Sequence, residues 1–225
     1  MKHLKEIIQE KLKINSKSNT FGYTPKTKEE LEEIIIKLIE QHGNKADLND
    51  IDISKVYDLT YLFSKYDKNG HNKENNLYKF NGDISNWDVS KVENMEGMFY
   101  CSKFNGNISK WNVNKVTNMQ SMFAHSNFNK DISKWNVSNV EDMSHMFADT
   151  KFNQDISKWD VSNVKEFGWM FEWDEDFDQD LNKWNVTIKA GHVTDMFVGT
   201  KLSNLDKLPE WYKKIKSNTK RTISI

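Results

Sequence analysis

Cys101 is the only cysteine in the 225 residues. No internal disulfide can form, and the chain does not depend on an oxidising compartment. Long apolar runs are missing too. No segment approaches the ~18 consecutive apolar residues of a membrane span, and the longest apolar run within residues 1–14 is Ile7-Ile8. That start lacks the 7–15-residue apolar core of a secretory signal, so the expectation is a cytoplasmic or virion-associated protein. Charge of one sign is not in excess: 32 basic and 33 acidic residues leave a net charge of −1. A nucleic-acid partner, which needs a basic face, is not expected. No Gly-rich phosphate loop, nucleophile elbow or HExxH spacing occurs, and His3, His42, His71, His125, His145 and His192 show no metal-ligand spacing. No enzyme activity, cofactor or metal is expected.

What the chain does have is a repeat. FNGDISNWDVSKVENMEGMFYCSK, residues 80–103, recurs with Phe80, Phe104, Phe128 and Phe152 each opening a copy 24 residues after the last. A fifth copy starts at Phe177, one residue late. A fixed period in the twenties signals stacked structural units. Within one copy, Trp87 and Val89 lie two apart, as on one face of a strand. Ser90 followed by Glu93 reads as a capping box, and Val92, Met95, Met98 and Phe99 as the stripe of a two-turn helix. Each unit is thus predicted to be a short strand, a capped helix and two turns. Stacking in register would align Trp87, Trp111, Trp135, Trp159 and Trp184 as a structural ladder, with valine and phenylalanine ladders beside it. Each aromatic can bury roughly 150–250 Å², worth at most about 4–6 kcal/mol.

The segments around the copies divide the chain further. Residues 1–20 read as an amphipathic helix on Leu4, Ile7, Ile8 and Leu12 followed by a polar linker. Residues 21–47 hold a capping helix opened by Thr27-Lys-Glu-Glu30, with Leu31, Ile34, Ile35, Leu38 and Ile39 on its apolar face and Gly43 as its stop. Residues 48–201 are the repeats, six coils counting a degenerate first copy over 48–63. Residues 202–225 are a C-terminal cap and tail, with Trp211, Tyr212 and Ile215 on one side of a short helix after Pro209.

Two irregular stretches stand out. Residues 64–79 form an insertion whose Asp67-Lys-Asn69-Gly70 resembles the start of a calcium loop, but Tyr78 stands where the bidentate glutamate is needed. In the fourth full copy Phe167 replaces methionine, and Trp169 and Trp173 appear beside Glu172, Asp174, Glu175 and Asp176. Such departures are where a non-uniform surface could be built. Asp83, Asn107, Asp131, Asp155 and Asp180 would stack as a column, read here as turn formers rather than cation ligands.

The pattern F-N-x-D-I-S-x-W-D-V-S-x-V-x-x-M-x-x-M-F, matched nearly residue for residue from Phe80 to Phe171, resembles the BspA-like leucine-rich repeat family. The likeness is to the variant first catalogued as a domain of unknown function in mycoplasma-type surface lipoproteins. The resemblance implies a right-handed β-α solenoid, here an α/β repeat of about six 24-residue coils with helical caps at both ends. It also implies a non-catalytic role, since relatives are mostly surface or secreted proteins associated with adhesion and host-protein binding.

The functional expectation is a scaffold that binds a protein or glycan through its strand face. The exposed positions there are Asn86 and Asp88, Lys110 and Asn112, Lys134 and Asn136, Lys158 and Asp160, and Lys183 and Asn185. Two alternatives stand beside it: a structural spacer in a phage or cell-surface assembly, suggested by the near-identity of the copies, and an exported surface adhesin.

Overall fold

The computed structural model describes residues 22–187, 190–203 and 207–222. The helix and linker expected over residues 1–20 lie outside them. Among the described residues there are two α-helices, α1 (Lys28–His42) and α2 (Glu210–Thr222), and three single 3-10 turns. Helix α1 begins at Thr27, whose hydroxyl accepts the Glu30 N–H at 3.2 Å, and ends at Gly43, whose φ of 78° lets its N–H reach the Ile39 carbonyl. Leu31, Ile35 and Leu38 on its inner face are buried.

Between the helices the described residues form neither strands nor helices of the expected kind. Among the described residues pairing is confined to isolated bridges: parallel ones step through the copies, Asp58 to Asn94 to Asn118 to Asp142 to Glu166, two more lie at the N-terminal end, and one antiparallel bridge lies within 64–79. The expected α/β solenoid with helical caps is therefore corrected to a stack of coils built from turns.

Backbone hydrogen bonds explain why. Met95, Gly97, Phe99 and Cys101 donate their N–H groups to Asn118, Gln120, Met122 and Ala124 in the next coil, at 2.8–2.9 Å. Met98, Tyr100 and Ser102, in between, donate three residues back at 2.9–3.2 Å. An α-helix needs each N–H to reach the carbonyl four residues back. Here alternate donors are committed to the neighbouring coil, so a helix cannot propagate. The capping box fails for the same reason: the Glu93 N–H goes to the Tyr57 carbonyl of the preceding coil. The alternation requires a left-handed residue twice per coil, as at Gly97 and Cys101 with φ of 58° and 55°.

The segment expected to be a strand is instead two tight turns. Trp87 and Val92 donate to Ile84 and Val89, three residues back in each case, at 3.2 and 2.9 Å. Coils are joined on this side by side chains. Trp111 donates its indole N–H to the Ile84 carbonyl at 3.1 Å, and Trp87, Trp135, Trp159 and Trp184 make the equivalent bond one coil back. Trp211 of α2 makes a sixth, to the Leu181 carbonyl at 2.8 Å, and its ring lies over Trp184. A helix residue thus occupies the place that the next coil's tryptophan would take.

Asparagines add another column. Asn105, Asn129, Asn153 and Asp178 each donate a backbone N–H to the side-chain oxygen of Asn81, Asn105, Asn129 and Asn153 respectively, at 2.9–3.1 Å. Inside, Phe63, Phe99, Phe123, Phe147, Phe171 and Phe197 stack with centroids 5.6–5.7 Å apart and planes within 11° of parallel. Among the described residues no buried side-chain polar atom lacks a hydrogen-bond partner.

Insertion 64–79 folds back on itself. Tyr66 bridges Asn72, and Asp67 Oδ1 accepts the N–H groups of Asn69 and His71 at 2.8 and 2.9 Å. Lys73 ties the insertion down by reaching Glu32 of α1 at 2.6 Å and the carbonyls of Tyr61 and Leu62.

Candidate functional site

The coils present two faces of different character, one exposed and one partly buried. The first carries the ten positions singled out from the sequence, and all of them are exposed. Asp88, Asn112, Asn136 and Asp160 do local work there: each accepts the N–H of the residue two further on, at 3.1–3.3 Å. Hydrogen bonds from Ser90 and Ser162 hold the Asp88 and Asp160 carboxyls below the usual range. Asp83, Asn107, Asp131, Asp155 and Asp180 close the preceding turn in the same way, at 2.8–3.0 Å. Asn86 is held through its N–H by the Asn49 side chain. Lys110, Lys134, Lys158 and Lys183 occupy equivalent places in successive coils, and none makes an ion pair within 4 Å among the described residues. This face is a ribbon of turn-closing Asp and Asn edged by lysine.

The second face is made by the left-handed residues and their neighbours. Its first column is Tyr61, Gly97, Ser121, His145, Trp169 and Asp195, and its second Cys101, His125, Asp149, Trp173 and Gly199, all with φ between 47° and 79°. Backbone donors here are satisfied by the next coil, so side chains at these positions have no turn to close. They vary from coil to coil, and so do the residues just before each column.

At one end, Tyr61, Tyr100, Ser121, His125 and His145 line a groove of about 430 Å³, with Asp67, Lys68 and Gly70 of the insertion on its rim. Tyr61 donates its hydroxyl to Glu96 at 3.0 Å, and burial, with Glu96 beside it, pushes its pKa up to about 12. His125 Nδ1 lies 2.8 Å from Asp149 Oδ2, and the Tyr100 ring meets His125 edge-on. Burial lowers the pKa of His145 and keeps the neutral imidazole favoured. Burial also pushes the Cys101 thiol up, away from the reactive thiolate.

At the other end Trp169 and Trp173 are exposed by 36% and 57%, and Val198 by 39%. The Trp169 ring lies parallel to His145 at 5.0 Å. Trp173 rests against Gly199, where a Cβ would meet its ring at 2.5 Å.

This second face was missed from the sequence apart from Trp169 and Trp173. Its signal was there in the alignment of the copies: Glu96-Gly97, Gln120-Ser121, Ser144-His145 and Gly168-Trp169 differ where nearly everything around them repeats. Among the described residues no group of three His, Cys, Asp or Glu side chains is placed to hold a metal ion. No described helix is long and apolar enough to cross a membrane.

Compared with known proteins, the chain matches no curated protein and no solved structure. One family matches twice, over residues 37–127 and 100–211, the overlap of the two matches reflecting the repetition. Together these matches span residues 37–211 and so the whole stack, and the chain belongs to the family described as Mycoplasma protein of unknown function, DUF285.

Proposed function

We propose that this chain is a non-catalytic binding scaffold, of the BspA-like kind its repeat pattern suggests, and that it takes a protein or glycan partner on the face of left-handed residues. The observation that carries this reading is where the copies differ. The two columns change chemistry from coil to coil, with His125, Asp149, Trp169, Trp173 and Asp195 exposed, while the Asp/Asn/Lys ribbon stays nearly constant. Recognition of one partner needs chemically distinct groups at fixed places, and a rigid stack supplies fixed places.

The uniform ribbon, which on sequence alone favoured a spacer, has a local cause in its turns. Adhesion at a cell surface is one setting in which such a scaffold would work.

The test is capture of partners by the full chain and by two variants. One carries Tyr100→Ala, His125→Ala and Asp149→Lys on the variable face. The other carries Lys110→Glu, Lys134→Glu and Lys158→Glu on the ribbon. Loss of capture in the first variant and retention in the second is the expected result; the reverse would return the site to the ribbon.

A further inference from the structure

Of the four large hydrophobic side chains exposed among the described residues, three lie together at one end of the variable face: Trp169, Trp173 and Val198. The fourth, Tyr57, is elsewhere. An exposed tryptophan pair on a stack whose other five repeat tryptophans are at most 4% exposed calls for a reason. Both indoles sit on left-handed backbone, φ 57° and 58°, a conformation disfavoured for a bulky residue. Trp173 also needs Gly199 beneath it.

The surroundings are acidic. Asp149 precedes Trp173 in its column, Asp195 follows Trp169 in the other, and Glu172 lies between the two tryptophans in sequence. No lysine or arginine occupies these columns from His145 onward. Nor does one pair within 4 Å with Asp149, Glu172 or Asp195 among the described residues; the Asp149 partner is His125. Two basic side chains of these coils are engaged elsewhere, Lys165 with Glu141 and Lys201 with Asp176.

We infer that this end of the variable face docks a basic segment of a protein partner, with arginine or lysine side chains lying over Trp169 and Trp173 and held by Glu172, Asp149 and Asp195. A cation over an indole face is the strongest of the side-chain cation–π pairings, and nearby carboxylates add to it. Charge decides between possible occupants. A nucleic acid would meet three carboxylates with its phosphates. A neutral sugar could stack on the indoles but would leave the carboxylate excess uncompensated.

This inference rests on the variable face being the binding face. Its test is binding of the full chain, by intrinsic tryptophan fluorescence and calorimetry, to a synthetic arginine-rich peptide and to a neutral oligosaccharide panel. The peptide is expected to bind, to weaken about tenfold in Trp169→Ala/Trp173→Ala, to weaken severalfold in Glu172→Gln, and to weaken with added salt. Denaturation midpoints of the variants would establish that they fold. Gly199→Ala offers a second route, because it displaces the Trp173 ring without removing it; it should reproduce part of the loss. Equal peptide affinity in wild type and the double variant, no peptide binding at all, or sugar binding lost in the double variant would each overturn the inference. Capture that depends on Tyr100, His125 and Asp149 while the peptide fails to bind would overturn it alone and leave the wider reading standing.

Discussion

The ribbon and the variable face run side by side along the same coils, yet one repeats and the other does not. On the ribbon a side chain completes each turn: Asn112, Asn136 and Asp160 accept the N–H two residues on. Asp and Asn are the side chains best suited to this, and the column is built from them. On the variable face the completing partner is the backbone of the next coil, as when Ser121 donates to the Ser144 carbonyl at 2.9 Å. Its side chains are released from that duty. Repetition on this molecule marks where side chains build the coil, and variation marks where they need not.

The largest test of that contrast lies just inside the variable face. Ser102, Ser126, Thr150 and Thr200 form a buried polar column, and Asp174 interrupts it. Asp174 is 0% exposed and accepts the Thr150 hydroxyl at 2.7 Å and the Asp176 N–H at 3.3 Å. Burial pushes its pKa up to about 7. In the unfolded chain an aspartate titrates near 4. Between these values the folded protein keeps a proton that the unfolded chain has lost, so stability falls as pH rises from about 4 to about 7 and levels off above. The cost at pH 8.5 is on the order of 3–4 kcal/mol. Asp174→Thr restores the hydroxyl column and should exceed the wild type by about 3 kcal/mol at pH 8.5, with the gap closing toward pH 4.5. Urea midpoints at the two pH values check this; a gap that does not change with pH would remove the burial cost.

Next in size is a direct exchange between the faces. Replacing Asn112, Asn136 and Asp160 together by alanine removes three turn-closing acceptors and should cost about 2–4 kcal/mol. Replacing Gln120, His125 and Asp149 by alanine should cost less than about 1 kcal/mol in total. Denaturant titration of the two triple variants measures both. Equal losses would mean that the variable face is structural after all.

How much of this could be read beforehand differs by the range of the interactions involved. Thr27 and Gly43 bound α1 because caps are local chemistry, and local chemistry is written in adjacent residues. Val92, Met95, Met98 and Phe99 all turned out to be buried, but their spacing suggested a helix that the structure does not contain. The decisive competitor was the next coil's carbonyl, 23 residues on, and no pattern within one copy reports it. The same holds for Glu93, whose place in a capping box was overridden by the Tyr57 carbonyl 36 residues back. Asn105 accepts the Asn129 N–H of the next coil, another contact that no pattern within one copy reports. Among the candidate binding positions, the turn-closing Asp and Asn are not distinguishable by pattern from the lysines beside them. The variable face was hidden because its backbone signature is a left-handed residue. Glycine announces that at Gly97 and Gly199, whereas Tyr61, His145 and Trp173 do not.

That backbone signature sets the smallest of the tests. Ser121 lies at φ 54° and is flanked in its column by Gly97 and His145. A β-branched residue in this region is strained by its Cβ and by its restricted side chain, so Ser121→Val should cost about 1–2 kcal/mol. Glycine trades relief of that strain against a larger loss of freedom on folding, and Ser121→Gly should stay within about 0.5 kcal/mol of the wild type. Lys134 on the ribbon does not have a positive φ, so Lys134→Val should change stability by no more than about 0.5 kcal/mol. Thermal or urea unfolding of the three single variants separates the faces by backbone alone: a valine tolerated equally at 121 and 134 would show that the left-handed turns yield to their side chains, and the variable face would then owe its variety to something other than its hydrogen bonds.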